Sequence, residues 1–228
     1  MESIHKKKTQ SFKEEHNEND NDDDDDEINK KIINITTAAI FIEFLPYKLN
    51  ECLEKNILNN TLKARIAVEV AFGMSYIHHC GMMHRDLKIE NVMLNSIFEA
   101  QIIDFGLVKV KDNLDSNESL TKGIGTLSYM SPEMTNEEEY DQKTDVYSYG
   151  VFLFVLFSGK LPKQSLKDKL NNKPLKFPQP STSMSSYCIQ LIEKCMSYEP
   201  SKRPSFDEII IDLKTNKVST GYWCDVKE

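Results

Sequence analysis

The stretch His84-Arg85-Asp86-Leu87-Lys88-Ile89-Glu90-Asn91 constrains the chain most, because a regular element pins it on either side. Upstream, Leu62, Ile66, Val70, Met74 and Ile77 recur at spacings of four, four, four and three, which puts them on one face of a helix that Gly81 can terminate. Downstream, Val92 to Leu94 and Ala100 to Ile103 read as the two strands of a hairpin turning across Asn95 and Ser96. Eighteen residues beyond Asp86, at the end of the second strand, stands Asp104-Phe105-Gly106. Two carboxylates and an amide oxygen on loops held in this way can converge on a hard divalent cation, which takes oxygen ligands, and can orient a hydroxyl.

The remainder of the body is mainly helical. Thr144 or Asp145 can cap a helix running to Phe157 that is apolar nearly all round and therefore buried; Gly159 and Pro162 stop it. Cys188, Leu191, Ile192, Cys195 and Met196 repeat with helical spacing. Ser205 with Glu208 three residues later forms a capping box directly after Pro204 and leads an apolar stripe of Phe206, Ile209, Ile210 and Leu213. Nearer the start, Ile32 to Ile35 and Ala38 to Leu45 read as two short strands before Pro46, a hairpin at most.

Charge separates a tail from this body. The first 27 residues hold 11 acidic side chains against 4 lysines, including the run Asp22 to Asp26 and Glu27, whereas the other 201 residues balance 25 acidic with 24 basic groups. Residues 1–30 therefore read as a disordered acidic tail, since like charges repel and little apolar surface offsets chain entropy. A nearly neutral body has no nucleic-acid footprint, which needs clustered surplus Lys and Arg. The five cysteines are widely spaced without a C-x-x-C pair, which suits a reducing cytosol. The start lacks a signal-peptide core, and the longest apolar run, Val151 to Phe157, is too short to span a bilayer. The expectation is a soluble cytoplasmic protein. The first glycine is Gly73, so no glycine-rich phosphate cradle precedes that point.

The motifs resemble the eukaryotic protein kinase family. Asp86, Lys88 and Asn91 match its catalytic loop, Asp104 to Gly106 its metal-binding motif, and Ser131-Pro132-Glu133 its A-P-E motif with Ser for Ala. Ile40-Phe41-Ile42-Glu43-Phe44-Leu45 is similar to the strand and hinge that hold adenine, and Asp145 to Gly150 to the buried helix beneath the catalytic loop. The run from Cys195-Met196 to Ser205-Phe206 resembles the end of the large lobe, with wording nearest the tyrosine-kinase-like group. The fold implied is α+β and kinase-like, a mainly helical large lobe with a remnant β-hairpin of the small lobe. Its layout would be an acidic tail at 1–30, a truncated kinase domain at 31–215 and a short tail at 216–228.

The resemblance implies roles residue by residue. Asp86 would accept the hydrogen bond of a substrate hydroxyl and Lys88 would neutralise the transferring phosphoryl oxygens, as a Ser/Thr enzyme requires. Asn91 and Asp104 would hold Mg²⁺ bridging the phosphates of ATP, while Glu43 and Leu45 would border the adenine. Ser119, Thr121 and Thr126 fall in the activation segment; a phosphate on Thr121 or Ser119 could pair with Arg85. His84, Arg85, Glu133, Asp145 and Arg203 are structural: His84 packs beneath the loop, Asp145 accepts loop N–H bonds, and Glu133 pairs with Arg203. Two of only three arginines, Arg85 and Arg203, fall at motif positions, where a fixed guanidinium fork is not replaceable by an ammonium.

Against this stands a departure. The family's glycine-rich loop, strand lysine and partner glutamate have no counterpart before Gly73, because only 11 residues separate Lys31 from Glu43 and two strands fill them. Two functions follow. One is a Ser/Thr kinase domain transferring the γ-phosphate of ATP to a protein hydroxyl. The other is a kinase-like binding module without its own catalysis, in which a partner chain covers the exposed face of the large lobe.

Overall fold

A computed structural model of the chain describes residues 43–105, 109–110, 127–177 and 184–215. The chain divides into two units, Met1–Glu43 and Phe44–Glu228, and the elements that follow all belong to the second. In chain order they are β1 (Tyr47–Lys48), α1 (Leu49–Glu54), α2 (Asn60–His79), β2 (Met82–Met83), a 3-10 turn (Ile89–Asn91), β3 (Val92–Leu94), β4 (Ala100–Ile102) and β5 (Lys109–Val110). Then come α3 (Pro132–Thr135), α4 (Lys143–Ser158), α5 (Leu166–Leu170), α6 (Ser186–Cys195), a 3-10 turn (Pro200–Lys202) and α7 (Phe206–Thr215). One antiparallel sheet runs in the order β1-β3-β4, and β2 pairs with β5 in a second.

The core is helix on helix. Ile66, Val70, Met74 and Ile77 of α2 are buried and Leu62 is half-buried, as the four-residue spacing requires. Asn59 caps α2 by accepting from the Leu62 N–H at 2.9 Å, and beyond its end Gly81 takes φ +70°, the left-handed conformation that lets the chain turn away. Helix α4 is buried almost all round, and the Tyr149 hydroxyl donates to the Ala67 carbonyl at 2.8 Å, so the two central helices are bonded as well as packed. Helix α7 starts on the expected box: Glu208 N–H donates to Ser205 Oγ at 3.2 Å and Ser205 N–H to Glu208 Oε2 at 2.6 Å.

Three features differ from the sequence expectation. Helix α4 begins at Lys143 with Gln142 as its N-cap, so neither Thr144 nor Asp145 caps it. The Lys143 N–H is met by the Asp141 carboxylate at 2.8 Å, which leaves Asp145 free for other donors. The hairpin turn is wider than Asn95-Ser96: the Asn95 side chain accepts the N–H groups of Ile97 and Glu99, and Phe98 sits at φ +61°. Arg65 of α2 braces that turn through the carbonyls of Ile97 and Phe98. Of the early strands, residues 32–42 lie outside the described residues, and Glu43 to Leu45 have no regular structure. Among the described residues, the strand that pairs with β3 is Tyr47–Lys48, directly after Pro46, which has no N–H to give a ladder.

Helices α4 and α6 approach closely at Gly150, where an added Cβ would stand 2.6 Å from Met196 Cγ and 2.9 Å from Cys195 Cβ. Gly150→Ala should therefore lower stability by about 1–3 kcal/mol through overpacking, measured by denaturant unfolding; an unchanged midpoint would mean that α6 shifts freely.

Candidate active site

The loop after β2 is held from below by one carboxylate. Asp145, fully buried in the first turn of α4, accepts the His84 N–H at 2.9 Å and the Arg85 N–H at 2.8 Å, and lies 2.9 Å from His78 Nε2. Arg85 sits at φ +64°, a conformation that costs a non-glycine residue about 1–3 kcal/mol and persists where surrounding bonds enforce it. Asp145 supplies those bonds.

His84 is fully buried. Its Nδ1 accepts the Asp86 N–H at 3.3 Å, which leaves Nε2 to carry the proton and donate to the Ile103 carbonyl, also at 3.3 Å. Burial pulls its pKa below the usual histidine value, although the carboxylates of Asp145, Asp86 and Asp104 work in the other direction. The ring is thus a neutral strut between the loop and the end of β4.

Asp86, Lys88 and Asn91 form one bonded group. Asp86 Oδ2 accepts from Lys88 Nζ at 2.7 Å and from Asn91 Nδ2 at 3.0 Å, and the same amide donates to the Asp86 carbonyl at 2.8 Å. Buried Leu87 and Ile89 anchor the turn that carries them. With Asn91 Nδ2 committed to Asp86, the amide oxygen Oδ1 is what Asn91 has left to offer.

The hairpin register decides where Asp104 stands. Val92 pairs with Ile102, and the Ile103 N–H donates to the Asn91 carbonyl at 2.9 Å, so β4 ends beside Asn91 and Asp104 follows at once. Asp104 is exposed at φ +65°, and the Phe105 ring lies tilted at 59° to that of His84 with centroids 5.5 Å apart. An amide oxygen and a carboxylate delivered to one edge are hard oxygen donors, and they fit a divalent cation such as Mg²⁺.

Farther along, Ser131 caps α3, whose buried Glu133 accepts from Arg203 at 2.6 and 2.8 Å. Arg203 also donates to the carbonyls of Ser197, Lys143 and Tyr198, so each of its three nitrogens is engaged at full burial. An ammonium cannot reproduce that fork. Burial alone would raise the Glu133 pKa, but the bonds and charge of Arg203 outweigh it and hold the carboxyl below its usual 4.5.

Of the residues expected at the adenine and in the activation segment, only Glu43 and Leu45 are described. Glu43 belongs to the first unit and is exposed, and half-buried Leu45 lies two residues before β1. Ser119, Thr121, Thr126 and Gly106 lie outside the described residues. Arg85 NH1 donates to the Tyr140 hydroxyl at 3.2 Å, a partner that no motif suggested. Sequence reasoning also missed Gln142, which bridges the carbonyls of His78 and Met82, and Lys169, a buried lysine in a short polar helix. Neither residue carries a local signal, since both bond to backbone far away in sequence.

Residues 27–212 match the model of the protein kinase domain. The chain belongs to the protein kinase family. Among its relatives are a probable serine/threonine-protein kinase of Dictyostelium discoideum, 37% identical over 67% of this chain, and a serine/threonine/tyrosine-protein kinase of Arabidopsis thaliana, 35% identical over 66%. A dual specificity protein kinase of Dictyostelium discoideum is 31% identical over 72%. The chain spans 17%, 39% and 12% of the lengths of these three kinases. No helix among the described residues is long and apolar enough to cross a membrane.

The Glu133–Arg203 pair gives a test of how the kinase domain is held together. Arg203→Met should cost about 3–5 kcal/mol, because it strands a buried carboxylate, and the double change with Glu133→Gln should cost less than the sum; a double-mutant cycle in urea reads the coupling. Because the folded pKa of Glu133 is depressed, its contribution is present above the unfolded value of 4.5 and is lost as pH falls through the lower folded value. Wild type should therefore lose stability below about pH 4.5 more steeply than Glu133→Gln.

Proposed function

We propose that this domain is a protein serine/threonine kinase that transfers the γ-phosphate of Mg²⁺-ATP to a Ser or Thr hydroxyl of a protein substrate. The observation that carries the reading is the bonded group of Asp86, Lys88 and Asn91, with Asp104 delivered beside it by the hairpin. Asp86 accepts the substrate hydroxyl's hydrogen bond and points its oxygen at the phosphorus. The Lys88 ammonium, paired with Asp86 at 2.7 Å, would neutralise the charge that gathers on the equatorial phosphoryl oxygens. Asn91 Oδ1 and the Asp104 carboxylate would hold Mg²⁺, which would neutralise phosphate charge. Glu43 and Leu45 border the adenine. Ser119, Thr121 and Thr126 belong to the activation segment, where a phosphate on Thr121 or Ser119 would pair with Arg85. The domain proper covers residues 31–215, flanked by an acidic tail and a short C-terminal tail, and works in the cytoplasm.

A second reading is favoured by one sequence fact, the lack of any glycine before Gly73 to cradle phosphate. In it the chain is a kinase-like binding module whose large-lobe face meets a partner chain.

Mg²⁺-ATP should raise the melting temperature of the wild-type chain and not that of Asp104→Asn, and Asp86→Asn should lower phosphotransfer by about 10²–10⁴-fold. Nucleotide-dependent stabilisation with phosphotransfer lost in both variants would exclude the binding module. A chain that neither shifts nor transfers phosphate would exclude the catalytic reading for these 228 residues.

A further inference from the structure

Lys169 on α5 is 6% exposed, yet among the described residues no carboxylate pairs with it. An ammonium has three N–H donors. Here they meet three carbonyls of one short segment, Leu127 at 2.9 Å, Ser128 at 3.3 Å and Met130 at 2.8 Å. The carbonyl between them, that of Tyr129, accepts from Ser148 Oγ of α4 at 2.9 Å. Four consecutive carbonyls are thus turned toward α4 and α5 and satisfied by two side chains. The Tyr147 ring lies beneath, 5.4 Å from Lys169 Nζ and 5.1 Å from the Arg203 guanidinium.

A buried cation without a counter-ion is a poor source of stability, and an apolar residue of similar volume would fill the space at lower cost. Burial pulls the Lys169 pKa down to about 8, in the direction that cost requires. What an apolar residue would not supply is a point at which several carbonyls can converge. The ammonium therefore acts on backbone conformation, and the segment it shapes leads straight into Ser131 and the buried Glu133 of α3.

The same segment reaches the candidate site. The Tyr129 side chain is buried with its hydroxyl against the backbone of Ile89, inside the turn that joins Asp86 to Asn91. We propose that Lys169 is a positioning residue: by gathering the carbonyls of Leu127, Ser128 and Met130 it sets this segment, through Tyr129, against the turn that carries Asp86, and so shapes the surface on which the protein substrate is presented. None of Lys169's bonds involves Asn91 or Asp104, so the residues assigned to the metal keep their places without it. The inference rests on the kinase reading for its consequence, but not for its structural part.

The test uses the full chain with Lys169→Met, which keeps the stem and removes the donors, and Lys169→Gln, which keeps two N–H donors. Amide hydrogen exchange across 128–133 should quicken at least about tenfold in Lys169→Met and by an intermediate factor in Lys169→Gln, with α2 and the C-terminal half of α4 unchanged. In phosphotransfer, the KM for a Ser-containing peptide should rise about tenfold while the KM for ATP stays within about twofold. Wild-type exchange in 128–133 for Lys169→Met, or parallel rises in both KM values, would overturn the proposal. If Lys169→Met does not fold, Lys169→Gln is judged by the same criteria. If the wild-type chain transfers no phosphate, the kinase reading fails by itself, and hydrogen exchange still decides whether Lys169 sets the segment.

Discussion

The buried carboxylate of Asp145 is the point on which the rest of the site depends. It stands in the first turn of the most deeply buried helix and takes the N–H groups of both His84 and Arg85. A buried carboxylate is tolerated only when donors surround it, and a loop with Arg85 in the left-handed region persists only when something enforces it. Each requirement is met by the other. Fixing His84 fixes the acceptor for the Asp86 N–H and the donor to Ile103, which couples the loop to the end of β4 and thus to Asp104. Rigidity therefore passes from the α4 core to four polar residues without any of them being part of that core.

A second anchor works near the same N-terminal end of α4. Arg203 gathers Glu133 and three carbonyls, and Lys169 gathers three more, with Tyr147 between the two cations. These cations differ in kind. The guanidinium pairs with a carboxylate whose pKa it lowers, so its charge is compensated; the ammonium, among the described residues, meets carbonyl dipoles and the Tyr147 ring. Lys169 organises the backbone of 127–130 that leads into α3, whereas Arg203 ties Glu133 of α3 to the backbone of 197–198 that follows α6. Polar side chains from regular elements take over that task, which is why so many buried polar groups cluster around residues 127–133.

Much of the architecture was legible in the sequence because it follows from local rules. The spacing in α2, the all-round apolar α4 and the Ser205–Glu208 box each specify an element through neighbours three or four residues away. The boundary of α4 was read two or three residues late because Asp141, rather than Thr144 or Asp145, meets its first N–H. The site was legible as a set of residues: the H-R-D-L-K-x-x-N run and Asp104 name chemistry that a divalent cation and a phosphate would use. Gln142, Tyr140 and Lys169 were not legible, since each acts on a group 39 or more residues distant in the chain and any of them could stand on an ordinary solvated surface.

The sequence by itself determined membership of the protein kinase family, the helical character of the body and the identity of the polar residues around Asp86. Tertiary structure alone decided that Asp86, Lys88 and Asn91 share bonds, that β4 delivers Asp104 to Asn91, and that Lys169 is buried rather than solvated. The physical reason is range. Periodicity and capping are fixed by contacts within a turn or two, whereas the placement of a buried charge depends on which distant carbonyls and N–H groups the packed helices bring to it.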